Sequence, residues 1–190
     1  VESVCYSVIQ SRKVKYRSSL ANDITIWAAT HEFENLRSFE IEKGRYFSPD
    51  ESATGKNTAI LGAEIASRLF DNADPVGKQI TIGNTKTIVL GVFKKEGKGG
   101  ITDSGMDEII LVPLNFAKTF INMRSSSLES NLMIKAKRGV PVEELSDETI
   151  MILRAARRLR PGETSNFSVN KASLLTQGFD SVFKIINIGG

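Results

Sequence analysis

Residues 58–83 read TAILGAEIASRLFDNADPVGKQITIG. Thr58 to Leu61 is a short unbroken apolar run, the mark of a strand buried on both faces. Gly62 breaks it. Ile65, Ala66, Leu69 and Phe70 then recur at helical spacing, with Glu64, Ser67 and Arg68 turned outward. The sequence DNADP stops this short helix. Gln79–Ile82 returns to the period of a strand. The stretch is therefore strand, helix, turn, strand, and the turn holds a Gly-Lys pair at 77–78.

Gly-Lys also ends a phosphate-binding loop. Such a loop needs a glycine five residues before the second glycine, a Ser or Thr after the lysine, and a helix next. Here Asn72 stands at the glycine position, Gln79 follows Lys78, and a strand comes next. The second pair, Gly97-Lys98, fails in the same way: Gly91 lies one residue too far back, and Gly99 replaces the hydroxyl residue. Both pairs read as structural turns. A β-turn with Pro75 second and Gly77 fourth is expected around the first.

Upstream, the chain reads as β. Val4, Tyr6 and Val8 alternate with smaller or polar residues. Val14 and Tyr16 oppose Lys13, Lys15 and Arg17, while Ile24, Ile26 and Ala28 share one side. This is the half-buried antiparallel signature, with polar turns expected near Ser11-Arg12 and over 18–22. Phe33, Leu36, Phe39 and Ile41 fit a short helical or irregular segment. Residues 42–52 carry turn chemistry around Gly44 and Pro49.

Downstream, a hairpin at 83–86 joins the Gln79 strand to one over 87–93. Residues 94–107 form a charged, Gly-rich loop. A strand follows over 108–114, then a helical turn with Asn115 as N-cap. After a linker, a strand covers 131–137. The longest helix is expected over 141–160, with Val142, Leu145, Ile152, Ala156 and Leu159 on one face. Glu143, Glu144, Asp147 and Glu148 crowd its start and Arg154, Arg157, Arg158 and Arg160 its end, matching the helix dipole. Pro161-Gly162 ends it. A last strand is expected over 166–170 and an amphipathic helix from Lys171, with Leu175, Phe179, Val182 and Ile186 on one side. Strands, one short helix, more strands, then β-α-β-α make an α+β pattern.

The 190 residues are 41% hydrophobic and 25% charged, with a net charge of +3. This is ordinary globular usage, and the charge is too small to argue for nucleic acid. One cysteine, Cys5, excludes an internal disulfide and reads as a buried thiol. No apolar run reaches ~18 residues, the length of a membrane span. The opening on a strand pattern and the apolar close suggest a piece of a larger protein.

Candidate chemistry is sparse. His31 is the only histidine, so a Ser-His or Cys-His nucleophile pair would have to use it, yet no G-x-S-x-G elbow accompanies it. Metal-site spacing of Cys and His is absent, and Asp103, Asp107 and Glu108 do not match a calcium loop. The basic strand face and the helix-end arginines are possible anion contacts, but no aromatic stacking pattern accompanies the strand face. Trp27 is the candidate platform if the chain is a stand-alone ligand- or glycan-binding module. Its simpler role is strand packing.

The ordered set across residues 39–114 resembles the extracytoplasmic core domain of MacB-type, FtsX-like ABC transporter permeases. The set comprises the Gly44-Arg45-aromatic turn, Gly62 leading to Leu69-Phe70, and Asp74-Pro75-x-Gly77-Lys78. It continues with the strand around Gly91 and closes on Pro113-Leu114. These residues are structural in the family. The resemblance implies a β-α-β porter-like part with an inserted β-rich sabre-like part. The porter-like part would combine 1–38 with 127–170, lacking its first strand and helix. The insertion would be 39–126, and 171–190 would lead to a membrane span. It further implies a non-catalytic domain without cofactor or metal on the periplasmic side of the inner membrane. Its partners would be an ABC ATPase, a permease dimer partner and an adaptor or lipoprotein, but no nucleic acid. Lys94, Lys95, Lys98, Asp103 and Asp107 of the 94–107 loop are the expected partner contacts.

Overall fold

The computed structural model describes residues 1–71, 73–96, 105–125 and 128–171. These fall into two compact units, and Ser3–Lys135 is the larger.

The larger unit contains one sheet of eight strands: β1 (Ser3–Tyr16), β2 (Ser19–Ala29), β3 (Ile41–Gly44), β4 (Thr58–Leu61), β5 (Gln79–Ile82), β6 (Thr85–Phe93), β7 (Ile109–Pro113) and β8 (Glu129–Lys135). Six of them close on themselves. β1 pairs antiparallel with β2, β2 runs parallel to β7, and β7 pairs antiparallel with β4. β4 runs parallel to β6, β6 pairs antiparallel with β5, and β5 returns to β1 through Val14–Ile82 and Lys15–Thr81. Such closure removes exposed edges from these strands. β8 extends the first half of β1, and β3 pairs with the end of β6.

Alternation along the strands builds two cores. One face carries Val14, Ile26, Ala28, Leu61, Ile80, Ile82, Val89, Ile110 and Val112. The helices α3 (Ala63–Phe70) and α4 (Leu114–Ala117) add Ile65, Leu69, Phe70 and Phe116 to that core. The other core joins Cys5, Ala29, Ile60, Ile109 and Leu111 with Phe33 of α1 (Phe33–Leu36), Phe47 and Phe93. The runs at β4 and β7 are buried throughout, as their unbroken apolar sequence requires.

The expected half-buried antiparallel reading holds for β1 and β2, but two of the closing pairings are parallel. No turn interrupts β1 at Ser11-Arg12. The strand passes through, and the irregularity lies opposite, where Asp23 takes a φ of 55°. Residues 42–52 hold more than turns. β3 is there, and α2 (Pro49–Thr54) starts on a complete capping box at Ser48 and Glu51. Asn115 is not an N-cap. Pro113 holds that position, and the Asn115 amide instead donates to the carbonyls of Ser52 (3.3 Å) and Ala53 (3.0 Å).

The smaller unit, taken from Ala136 onward, contains the helix α5 (Val142–Ala156). Of the five residues expected on one face, Leu145 is buried while Val142 and Ile152 are exposed. The expected strand over 166–170 is absent. Two of the helix-end arginines hold this segment. Arg154 donates to the carbonyls of Arg160 (2.8 Å) and Glu163 (2.8 Å) and to Ser165 Oγ (2.9 Å). Arg157 donates to Asn166 Oδ1 (2.9 Å) and lies over the Phe167 ring. The helix expected from Lys171 lies outside the described residues.

Candidate functional site

The Gly-Lys pair sits on a β-turn closed by the Lys78 amide donating to the Pro75 carbonyl at 3.0 Å. Pro75 is therefore first and Gly77 third, one place earlier than the sequence suggests. Gly77 has a φ of 75°, as the third residue of a type II turn requires. The Asp74 carboxylate accepts the Val76 amide at 3.1 Å, so each residue of the motif has a local task. The Gly77 amide donates to the Val89 carbonyl (2.8 Å) and the Val89 amide to the Lys78 carbonyl (2.9 Å). These amides serve the fold, and no helix N-terminus follows them to hold phosphate.

Gly44 and Arg45 form a second knot. Gly44 has a φ of 76°, and a Cβ there would collide with the Leu90 carbonyl. A Cβ on Gly91 would press on the Lys43 and Arg45 carbonyls. This tight crossing of β3 and β6 aims Arg45 at Glu51, which it meets through two bonds of 2.7 and 2.9 Å. Lys56 adds a third contact at 3.1 Å, and the Ser48 amide donates at 2.9 Å. The Arg45 guanidinium holds the Glu51 carboxyl far below the usual carboxylate range, aided by Ser48 and Lys56. Gly62 is a third tight point. A Cβ there would meet the Met106 and Asp107 carbonyls, and its amide donates to the Ile109 carbonyl at 2.8 Å. Leu69 and Phe70 are buried, and Phe70 packs on Tyr16 with ring centroids 4.0 Å apart. Pro113 ends β7 opposite Ala29.

Of the residues expected at a contact surface, Lys94, Lys95 and Asp107 are described. Lys94 pairs with Glu40 (2.6 Å) and Lys95 with Glu64 (2.5 Å), all four side chains being well exposed. Asp107 is buried, and its carboxylate accepts the Glu96 amide at 3.0 Å. It braces the base of the loop rather than standing on its surface. Lys98 and Asp103 lie outside the described residues. A shallow depression of ≈ 260 Å³ opens beside Phe39, Lys94 and Lys95.

His31 and Trp27 belong to an aromatic cluster. His31 Nε2 lies 2.8 Å from Glu34 Oε1, and its ring meets Tyr46 and Phe47 at 5.6 and 6.1 Å. Among the described residues no hydroxyl or thiol bonds to the imidazole. Trp27 stands edge-on to Phe33 at 5.1 Å with Arg37 over its ring. It packs; it does not line a cleft. Burial pushes the Cys5 thiol and, far more strongly, the Tyr46 hydroxyl above their ordinary ranges. Among the described residues no cluster of His, Cys, Asp and Glu is able to hold a metal ion.

What the glycines among these residues share is a place at turns and close backbone crossings. This pattern meets a known one: residues 1–151 match the model of the MacB-like periplasmic core domain. The chain belongs to that family. It is 27% identical over 146 residues to a macrolide export ATP-binding/permease protein MacB of Chlorobium luteolum, covering 73% of this chain and 21% of that protein. It is 28% identical over 119 residues to the ABC transporter permease YknZ of Bacillus subtilis, covering 63% and 29%. A pyoverdine export protein, PvdT of Pseudomonas aeruginosa, is 26% identical over 148 residues, covering 77% and 22%. The chain thus spans only a quarter or so of these relatives' length. Two solved structures share the fold. The periplasmic region of MacB from Actinobacillus actinomycetemcomitans has a TM-score of 0.75 at 13% identity, covering 95% of this chain and 76% of that one. The extracellular domain of YknZ from Gram-positive bacteria has a TM-score of 0.71 at 20% identity, covering 84% and 78%. The family is that of a permease's extracytoplasmic region, which supports an extracytoplasmic location and a general role in ABC transport. Among the described residues no helix is long and apolar enough to cross a membrane.

Proposed function

We propose that this MacB-like core domain transmits movement. ATP hydrolysis, in a separate or fused nucleotide-binding domain, would shift membrane helices of an inner-membrane permease. The domain would carry that displacement to a substrate, adaptor or lipoprotein outside, working beside the copy of a dimer partner. It catalyses nothing itself and needs no cofactor. The relatives named for macrolide and pyoverdine export suggest expulsion of a compound as the output. The observation that carries this reading is the family match over residues 1–151. A second feature supports it: closure leaves none of these six strands with an unpaired edge, so they form one cooperative unit suited to carrying a displacement.

In this reading the division into a porter-like part (1–38 with 127–170) and a sabre-like insertion (39–126) is functional rather than visible as separate bodies. Strands from both sides of residue 38 pair in the one sheet. Lys94, Lys95, Lys98 and Asp103 remain the proposed contact edge, with Asp107 supporting it from within.

The test is made in the parent permease, reconstituted with its ATPase. Replacing this domain by a flexible linker should leave ATP hydrolysis measurable and abolish export. Export at the unmodified rate would refute mechanical transmission.

A further inference from the structure

The outward wall formed by β1, β5 and β6 carries an arrangement that the transport reading does not use. Strand register places Lys15 beside Thr81 and Thr81 beside Lys86. Lys13 lies on the same side of β1, two residues from Lys15, since Val14 between them is buried. Gln79 and Ile88, the next pair on the same face, complete the surface, and Leu20 borders it opposite Lys15. All three lysines are exposed.

Four cations elsewhere in this unit are held in ion pairs, and others, such as Lys43, Arg68 and Lys78, are exposed without one among the described residues, so what sets this wall apart is the register that gathers three lysines on it. Arg45 and Lys56 share Glu51, Lys94 has Glu40, and Lys95 has Glu64. Lys13, Lys15 and Lys86 make no ion pair with any described residue. Asp23, at the irregularity of β2, is a carboxylate close by in register, and it pairs with none of them. Like charges gathered on one wall set up a positive potential that attracts a partner of opposite sign.

We propose that this wall docks an acidic segment of a partner protein in extended form. Lys13 and Lys15 are about 7 Å apart along the strand, the repeat of alternate side chains in any extended chain. Carboxylates at alternate positions of a partner strand would therefore meet both. Lys86 stands two strand spacings away, about 10 Å, with the Thr81 hydroxyl between as a hydrogen-bonding group. A protein partner fits better than a membrane or a nucleic acid. The wall offers two exposed aliphatic residues, Leu20 and Ile88, and no aromatic residue for insertion or base stacking. This inference does not depend on what the parent permease exports.

The test uses the whole chain and a fluorescein-labelled peptide of alternating glutamate and threonine, followed by anisotropy. Binding should appear at low salt and weaken as salt rises. Lys13→Glu/Lys15→Glu/Lys86→Glu should lower affinity at least about tenfold, and the neutral triple Lys→Gln variant by less. The comparison variant Lys43→Glu/Arg68→Glu should change it by less than about twofold, since those exposed cations lie on β3 and α3, off this wall. All three reversed residues are exposed, so circular dichroism should report unchanged folding. Several results would overturn the proposal. They are no binding by the unmodified chain, equal losses in both charge-reversal variants, or tighter lysine-dependent binding to phosphatidylserine vesicles or single-stranded DNA than to the peptide. If the reversed triple misfolds, the neutral triple decides by the same comparison.

Discussion

Removing the Glu51 carboxylate probes the tightest polar knot in the fold. Its acceptor atoms take two bonds from Arg45, one from Lys56 and one from the Ser48 amide. The carboxylate is nearly buried, but Arg45 and Lys56 are more than half exposed, so each ion pair is worth no more than about 1 kcal/mol. The capping bond at the start of α2 adds about 1 kcal/mol. Because the cations stay hydrated, deleting Glu51 strands no buried charge, and the large penalty for breaking a buried pair does not apply. Glu51→Ala should therefore cost about 2–3 kcal/mol, a fall of about 5–10 °C in Tm for a chain of this size. Glu51→Gln keeps an oxygen for Ser48 and should cost about half as much. The pH dependence follows from the depressed carboxyl. A group whose folded pKa is lowered contributes fully above its unfolded value, about 4.3, and loses that contribution as pH falls toward the folded value. The gap between the unmodified chain and Glu51→Gln should thus be full at neutral pH and narrow below about pH 4. Urea denaturation followed by circular dichroism at several pH values measures this. Equal costs for the two variants, or a gap that widens on acidification, would refute the assignment of the carboxylate's role.

Four further outcomes are expected. Gly77→Ala places a side chain at a φ of 75° with nothing within 4 Å, so it should cost only about 1–2 kcal/mol by urea denaturation. Gly44→Ala combines a similar φ with a collision against the Leu90 carbonyl, and it should cost clearly more than Gly77→Ala. Gly62→Ala has ordinary φ but pushes into the Met106 and Asp107 carbonyls, and should yield little folded protein when soluble expression is compared. Cys5 is fully buried with its thiol pKa raised by burial, so a thiol reagent should label it slowly in the native chain and promptly in urea.

The strands and short helices that bury apolar runs were legible before the structure. The runs at 58–61 and 109–113 are continuous because both faces are covered, and α3 shows its inner face at helical spacing. What escaped were features whose cause lies far away in the chain. The irregularity of β2 arises at Asp23, where strand pairing, not local turn chemistry, sets the backbone. Asn115 looks like a helix cap by composition, yet its partners are the Ser52 and Ala53 carbonyls, more than sixty positions earlier. Closure of the sheet rests on two residue pairs between β1 and β5, which no periodicity announces.

The candidate sites divide along the same line. A turn such as Asp74–Lys78 is set by local bonds, so its structural nature followed from failing the phosphate-loop pattern, although its phase was off by one residue. A surface is set by register between strands. Lys13, Lys15 and Lys86 became one wall only when β5 was placed between their strands. The same logic explains Asp107. In a Gly-rich charged loop it reads as solvent-exposed, but Gly62 lets the chain pass close enough to draw its backbone inward, and its carboxylate then serves the Glu96 amide. The glycines of this family pattern set close backbone crossings, Gly44 against Leu90 and Gly62 against Met106 and Asp107. The lysines proposed to meet a partner lie on the wall that β1, β5 and β6 form together.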